Sequence, residues 1–339
     1  MELPSYFSEF LHKIRPCMKD RTAFRNSHIR LRTLLEQDSR LSHVIVTTFL
    51  QGSYRRSTAI RAYKGSRPDV DVVVVTRLDQ NEYQPADALQ VFKPFLRTYY
   101  AGNWGTNERS LWITDPSYDV DLDLVITSAP SEAEIGVITG VGWNPHSTVE
   151  EEEHDSNTDH LWKLSPLQIP DRQAERWEPT HPMAQLAWTR DKNRMTGGNY
   201  VNVVKALKWW RRIFPGMPKH PKGYPFERLI DRCCPSEIKS VSVGIATVLT
   251  NMVRNYRSYA ELGLVPFLPN HGIPTRNVLT RVPPNDFRIF INKAQEAADI
   301  AQRALEKSSV RESSALWRQL FGELFPAASL GVSERVSHR

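Results

Sequence analysis

At 339 residues the chain exceeds the size at which a single hydrophobic core stops growing, so two lobes are expected. Hydrophobic content of 40% and charged content of 24% are ordinary for a soluble globular protein. No apolar run approaches the ~18 to 20 residues of a membrane span, and the opening MELPSYFSEFLHKIRP has an early acid and proline where a secretory leader has basic and then apolar residues. A cytoplasmic protein is expected. A net charge of +6 suits nucleic-acid binding and equally an enzyme that gathers phosphate-bearing small molecules. Cys17, Cys233 and Cys234 form neither a disulfide framework nor a CxxC metal pattern, so reduced, structural thiols are expected.

From Tyr6 to Gln37, Phe7, Phe10, Leu11 and Ile14, then Ile29, Leu31, Leu34 and Leu35, recur at helical spacing, in one long helix or two shorter ones. His43 to Leu50 reads as a strand that turns at Gln51-Gly52-Ser53, with Ser57-Thr58 capping a short helix through Ile60. Val70 to Thr76 is nearly all valine, as in a central strand buried on both faces. Pro85 to Tyr100 reads as one amphipathic helix, and Ser110 to Thr114 and Asp119 to Thr127 as two further strands. The first half is therefore a small mixed sheet with helices on one side. Residues 128 to 181 carry four glutamates at 150 to 153, several prolines and little periodicity, which predicts a long irregular connection. Six helices follow, over 182–193, 200–213, 225–232, 241–259, 286–305 and 314–325, and 327–339 reads as a disordered tail. The expected fold is α+β, with a sheet lobe and connection over 1–180 and a helical lobe over 181–326.

In a strand, Asp69 and Asp71 point to the same face with Cα atoms roughly 7 Å apart. Carboxylates so placed suit a pair of divalent cations about 3.5 to 4 Å apart, and hard oxygen ligands favour Mg²⁺ or Mn²⁺ over zinc. A third carboxylate is needed from a neighbouring strand, and Asp119, Asp121 and Asp123 all lie on one face of theirs. Asp123, deepest in the apolar run, is the first choice and Asp121 the alternative. Alternate aspartates also mark a solvated strand face. The preceding Gly52-Ser53 turn, where backbone N–H groups approach a phosphate closely, favours the metal reading. Arg55, Arg56, Arg61, Lys64 and Arg67 are expected to surround this site with positive charge. In the helical lobe Tyr200, Val203, Val204, Leu207 and Trp210 form an apolar stripe. Lys205, Lys208 and Arg212 lie on another face, either solvated or with Lys208 reaching a triphosphate. His154 and His160 lack strict metal-ligand spacing, His181 reads as structural, and of Trp209-Trp210 core packing is favoured over stacking on a base.

Phe49-Leu50-Gln51-Gly52-Ser53, then Asp69-Val70-Asp71, then Leu122-Asp123-Leu124-Val125 resembles the nucleotidyltransferase signature of the DNA polymerase β superfamily. Within it, QGSYRRSTAIR, RPDVDVVVVT, DLDLVIT, THPMAQLAWTRDKNR, VKALKWWRR, PKGYPFERLI and ALWRQLFG are similar to clade D of the bacterial cGAS/DncV-like nucleotidyltransferases, the CD-NTases. The resemblance implies a polymerase β-like lobe and a helical C-terminal lobe with nucleotides bound in the cleft between them. It implies that Asp69 and Asp71 bind two Mg²⁺ ions, that Asp123 binds one and helps deprotonate the attacking ribose hydroxyl, and that Gln51, Gly52, Ser53 and Lys208 hold the triphosphate. The implied activity is synthesis of a cyclic di- or trinucleotide from NTPs, with ATP and GTP as substrates, in anti-phage signalling. The implied partners are a HORMA-domain regulator, a TRIP13-like ATPase and a product-activated effector such as an endonuclease. The alternatives are nucleotide transfer onto RNA or protein, or an inactive nucleotide- or RNA-binding module.

Overall fold

The computed structural model describes residues 1–65, 67, 69–131, 134–137 and 165–328. Two helices open the chain, α1 (Pro4–Ile14) and α2 (Met18–Gln37). Pro16, which cannot continue a helix, separates them, and Cys17 and Asp20 form a capping box that starts the second. The chain then divides into two compact units that are not consecutive in sequence. One comprises Pro16–Arg194 with Leu268–Val278, the other Met1–Arg15, Met195–Phe267 and Leu279–Arg339. Thus α1, read from the sequence as part of the first lobe, belongs to the unit of the C-terminal helices.

The first unit continues as β1 (Ile45–Gln51), α3 (Gly52–Arg55), β2 (Asp69–Thr76), α4 (Pro85–Gln90), α5 (Lys93–Tyr99), β3 (Trp104–Thr106), β4 (Leu111–Asp115) and β5 (Val120–Thr127). The strands form one sheet in the order β1-β2-β5-β4-β3. Only the β2–β5 pair is parallel. Val70, Val72, Val74, Leu122 and Leu124 pack on one face beneath Leu31, Leu35, Leu89, Phe92 and Phe95. Val73, Val75 and Val125 pack with Phe49 on the other. β2 is thus buried on both faces, as its valine run predicts.

Four expectations need correction. The helix expected over 85–100 is two, because Pro94 has no N–H to donate and its ring would meet the carbonyl of residue 90; α4 ends at Gln90. The helix expected to follow a Ser57-Thr58 cap through Ile60 does not form: the short helix lies earlier, at Gly52–Arg55, and Ser57 takes a left-handed φ of 56°. The described end of the expected irregular connection is a hairpin, β6 (Leu167–Asp171) and β7 (Arg176–Thr180), and Leu167 and Ile169 cover the second face of the sheet. Its prolines, Pro170 and Pro179, argue against a strand in sequence and are tolerated in a two-stranded ribbon. The last predicted helix ends at Phe321, where Gly322 turns with φ 69°.

The helix α6 (Pro182–Met195) follows, and the second unit is built from α7 (Asn199–Ile213), α8 (Tyr224–Cys233), α9 (Val241–Glu261), α10 (Pro284–Glu306), α11 (Val310–Phe321) and α1. A small hairpin, β8 (Pro269–Asn270) and β9 (Ile273–Asn277), returns to the first unit and was not foreseen. Buried alanines of α10 at 294, 297, 298, 301 and 304 give it a small-residue face. Phe7 and Phe10 of α1 join Trp317, Phe321 and Phe325 in an aromatic cluster, with Phe7–Trp317 centroids 5.0 Å apart. The tail expected over 327–339 lies outside the described residues from 329 onward. Among the described residues no helix is long and apolar enough to cross a membrane.

One buried charge ties α2 to the sheet. Asp115 is 0% exposed and accepts hydrogen bonds from Ser27 Oγ (3.0 Å), Arg30 Nη1 (3.1 Å) and the Ser117 amide (3.0 Å). Asp115→Ala leaves these donors unpaired and is expected to lower unfolding free energy by about 3 kcal/mol, measured by urea titration.

Candidate active site

The parallel pairing of β2 with β5 sets Asp69 opposite Asp121 and Asp71 opposite Asp123. Because side chains alternate and opposite partners share a face, the four carboxylates lie on one face near the starts of the two strands. The intervening Val70, Val72, Leu122 and Leu124 are core residues, so the register cannot slip by one without burying the acids. Asp69 is exposed, and Asp71, Asp121 and Asp123 are half-buried.

Gln51, the last residue of β1, pairs with Asp71. The chain then turns at Gly52 with φ 74°, where an added Cβ would lie 1.7 Å from Asp71 Oδ2. Both the left-handed backbone and the contact with the carboxylate therefore demand glycine. The turn is closed by the Thr58 amide, which donates to the Ser53 carbonyl at 2.8 Å. The surrounding charge differs from expectation: Arg61, Lys64 and Arg67 are exposed, whereas Arg55 and Arg56 are buried, Arg55 to 1%.

Asp123 and Asp121 are held differently. Asp123 Oδ1 accepts from Ser110 Oγ at 2.9 Å and Asn107 Nδ2 at 3.2 Å. Burial pushes its carboxyl above the usual carboxylate range; the Ser110 and Asn107 hydrogen bonds oppose this, and the charges of Asp69 and Asp121 add to it. Asp121 Oδ1 accepts from Thr114 Oγ1 at 2.8 Å and has Arg67 Nη1 3.8 Å away. Asp119 has a left-handed φ of 55° and takes a hydrogen bond from Arg67 Nε at 2.6 Å.

The oxygen-only donor set on one face, with Asp71 set against a glycine cradle, fits a hard divalent cation. Among the described residues, no three His, Cys, Asp or Glu side chains stand together at metal-holding distance. It is therefore the backbone register that aligns Asp69, Asp71 and Asp123, and their side chains do not form a closed cage.

In the helical unit Lys208 Nζ donates to Glu227 Oε1 of α8 at 3.0 Å. Lys205 is only 3% exposed, and of the four basic residues on α7 only Arg212 is exposed. Trp209 and Trp210 are both core residues, which removes them as stacking platforms for a base. His181 Nδ1 accepts from the Ala184 amide at the start of α6, a structural role, and His154 and His160 lie outside the described residues. Asn107, Ser110 and Thr114 were not foreseen as part of the site; they come from β4 and the loop before it, and only strand pairing reveals them.

Residues 1–147 match the Second Messenger Oligonucleotide or Dinucleotide Synthetase (SMODS) domain. The chain is 38% identical to the cyclic AMP-AMP-GMP synthase of Enterobacter hormaechei subsp. hoffmannii (strain UCI 50), over 96% of this chain and 92% of that one. It is 28% identical to the cyclic AMP-AMP-AMP synthase of Acinetobacter sp. (strain ATCC 27244 / 9458), over 97% and 87%. Its fold is similar to that of E. coli MS115-1 CdnC, solved in complex with HORMA-deltaN, with a TM-score of 0.65 at 15% identity and coverage of 96% and 99%.

The half-buried Asp123 carboxylate has a stability cost that its pKa direction specifies. Its folded pKa lies above that of an ordinary aspartate, so ionisation at neutral pH opposes folding. In protein stripped of metal with EDTA, Asp123→Asn is expected to melt at or above the wild-type temperature at pH 7. The difference should shrink as pH falls through the raised pKa and vanish below the unfolded one, measured by thermal melts across pH. Gly52→Ala is expected to lower the melting temperature, by an amount equivalent to about 1–3 kcal/mol of backbone strain.

Proposed function

The chain belongs to the bacterial CD-NTase family of nucleotidyltransferases that synthesise cyclic oligonucleotides, and we propose that its product is cyclic AMP-AMP-GMP, made from ATP and GTP. The observation that carries the catalytic part is the in-register pairing of Asp69 and Asp71 with Asp121 and Asp123 beside the Gly52 turn. The base composition rests on the stronger likeness to the AMP-AMP-GMP synthase than to the AMP-AMP-AMP synthase.

Asp69 and Asp71 would hold two Mg²⁺ ions, for which Mn²⁺ can substitute, and Asp123 would hold one of them. When bound, the ions neutralise phosphate charge and favour ionisation of the attacking hydroxyl. Gln51, Gly52 and Ser53 hold the triphosphate at the end of β1, where the absent side chain at Gly52 lets phosphate oxygens reach the backbone. Asp123 helps draw the proton from the attacking 3′-hydroxyl. That hydroxyl attacks an α-phosphate, pyrophosphate leaves, and repetition followed by ring closure yields the product. Most of the catalytic effect is positioning and charge neutralisation.

Lys208 is assigned to the triphosphate by resemblance, and in the structure it is paired with Glu227. A HORMA-domain regulator is assigned because CdnC, whose fold this chain shares, was solved with one. A TRIP13-like ATPase and a product-activated endonuclease complete the set of partners, in anti-phage signalling.

Purified protein incubated with ATP, GTP and Mg²⁺, alone and with its HORMA partner, should yield a phosphatase-resistant product with the mass of cyclic AMP-AMP-GMP. Asp69→Asn with Asp71→Asn should reduce it by more than the about 100-fold that loss of a supporting residue costs a metal site. A product covalently joined to RNA or protein would overturn the cyclic assignment. Lys208→Ala should raise KM for NTP with the fold kept; an unchanged KM removes Lys208 from the site.

A further inference from the structure

Asp123 is the third acid of the site, and its two oxygens are treated unequally. Both of its side-chain hydrogen bonds, from Ser110 Oγ (2.9 Å) and Asn107 Nδ2 (3.2 Å), reach Oδ1. Among the described residues none reaches Oδ2. Asn107 and Ser110 are themselves joined, by the Asn107 amide donating to the Ser110 carbonyl at 2.9 Å and by Asn107 Nδ2 to Ser110 Oγ at 3.4 Å. They form one tight turn entering β4, with two donors converging on a single carboxylate oxygen.

That turn is clamped from outside. Arg109 Nε and Nη2 both approach Asp171 Oδ2, at 2.7 and 2.6 Å, and Asp171 is buried at the end of β6. The other Asp171 oxygen accepts the amides of Gln173 and Ala174, so the acceptor is rigid. The Arg172 amide donates to the Glu108 carbonyl at 3.0 Å, and Arg172 Nη1 to the Asn107 carbonyl at 3.4 Å. The β6–β7 hairpin thus fixes residues 107–110 by backbone and side chain, and these fix Asp123.

We propose that Asn107 and Ser110 are positioning residues for the third acid: they anchor Asp123 Oδ1 and thereby present Oδ2 to a divalent cation, with the Arg109–Asp171 pair of the β6–β7 hairpin holding both in place. The proposal rests on the assignment of Asp123 as a metal ligand made above. A carboxylate on a half-buried strand, repelled by Asp69 and Asp121, would otherwise spread over several rotamers. Two donors on one oxygen select one rotamer and lower the entropic cost of binding the ion. Neither donor needs to touch substrate, so the effect is read on metal affinity, with little demanded of the chemistry itself. Residues that orient metal ligands in this way typically contribute about 10–100-fold to affinity.

The test is Mn²⁺ binding by the full-length protein in the presence of a non-hydrolysable ATP analogue, followed by loss of the free Mn²⁺ signal in electron paramagnetic resonance. Wild type, Asn107→Ala, Ser110→Ala, the double variant, Ser110→Thr and Asp123→Asn are compared. Asn107 is exposed, so Asn107→Ala should keep the wild-type melting temperature and still bind Mn²⁺ about 10-fold more weakly. The double variant should lose more, Ser110→Thr should recover most of the Ser110→Ala loss, and activity should return towards wild type at saturating Mg²⁺. Arg109→Gln should reproduce part of the loss. If Asp123→Asn weakens Mn²⁺ binding while Asn107→Ala and the double variant stay within twofold of wild type, the positioning role is wrong and the metal assignment stands. If Asp123→Asn itself binds Mn²⁺ as wild type does, the metal assignment fails and the positioning role fails with it.

Discussion

The structure of the first unit turns on one pairing, the parallel alignment of β2 with β5. A lone parallel pair inside an otherwise antiparallel sheet puts the starts of two strands side by side, so acids at those starts face the same way. The apolar residues between them hold the pairing. Val70, Val72, Leu122 and Leu124 fill one side of the core, and a shift of one residue would exchange valines for aspartates there. Burying a carboxylate without partners costs several kcal/mol. The hydrophobic pattern that stabilises the sheet therefore also aligns the acids, and neither could change alone.

Alignment has a cost that the neighbouring residues offset. Four carboxylates on one face repel one another, and Asp123 loses solvent as well. Hydrogen bonds from Ser110, Asn107 and Thr114 take up part of this, and Arg67 stands beside Asp119 and Asp121. Gly52 contributes by absence, since any side chain there would occupy the place of Asp71. Sites organised for charge that arrives with a ligand are commonly less stable than the same fold without them.

What the sequence discloses follows from how local each signal is. Strand alternation and the valine run identify β1, β2 and β5 because each depends on successive residues. The Gly52 turn and the Asp69/Asp71 pair are legible for the same reason. Pro94 shows why the helix over 85–100 was misread: apolar spacing continues through it while the backbone cannot. The β6–β7 hairpin was hidden by two prolines that a two-stranded ribbon accommodates. Asn107 and Ser110 were illegible because their role exists only once β4 is paired beside β5. Arg55 and Arg56 show the opposite error: a run of basic residues suggests charge surrounding the turn, and two of them are buried.

The placement of α1 bears on how the protein is made. Its aromatic face, Phe7 and Phe10, is covered by Trp317, Phe321 and Phe325, more than 300 residues later along the chain. At ribosomal rates of about 5–20 residues per second, that cover arrives tens of seconds after α1 leaves the exit tunnel. Through that interval the five-stranded sheet, whose strands all lie between Ile45 and Thr127, can collapse on its own, while the aromatic face of α1 waits for these partners. Synthesis thus imposes an order on assembly, sheet first and helical unit last, and makes the nascent first helix a natural client for chaperones.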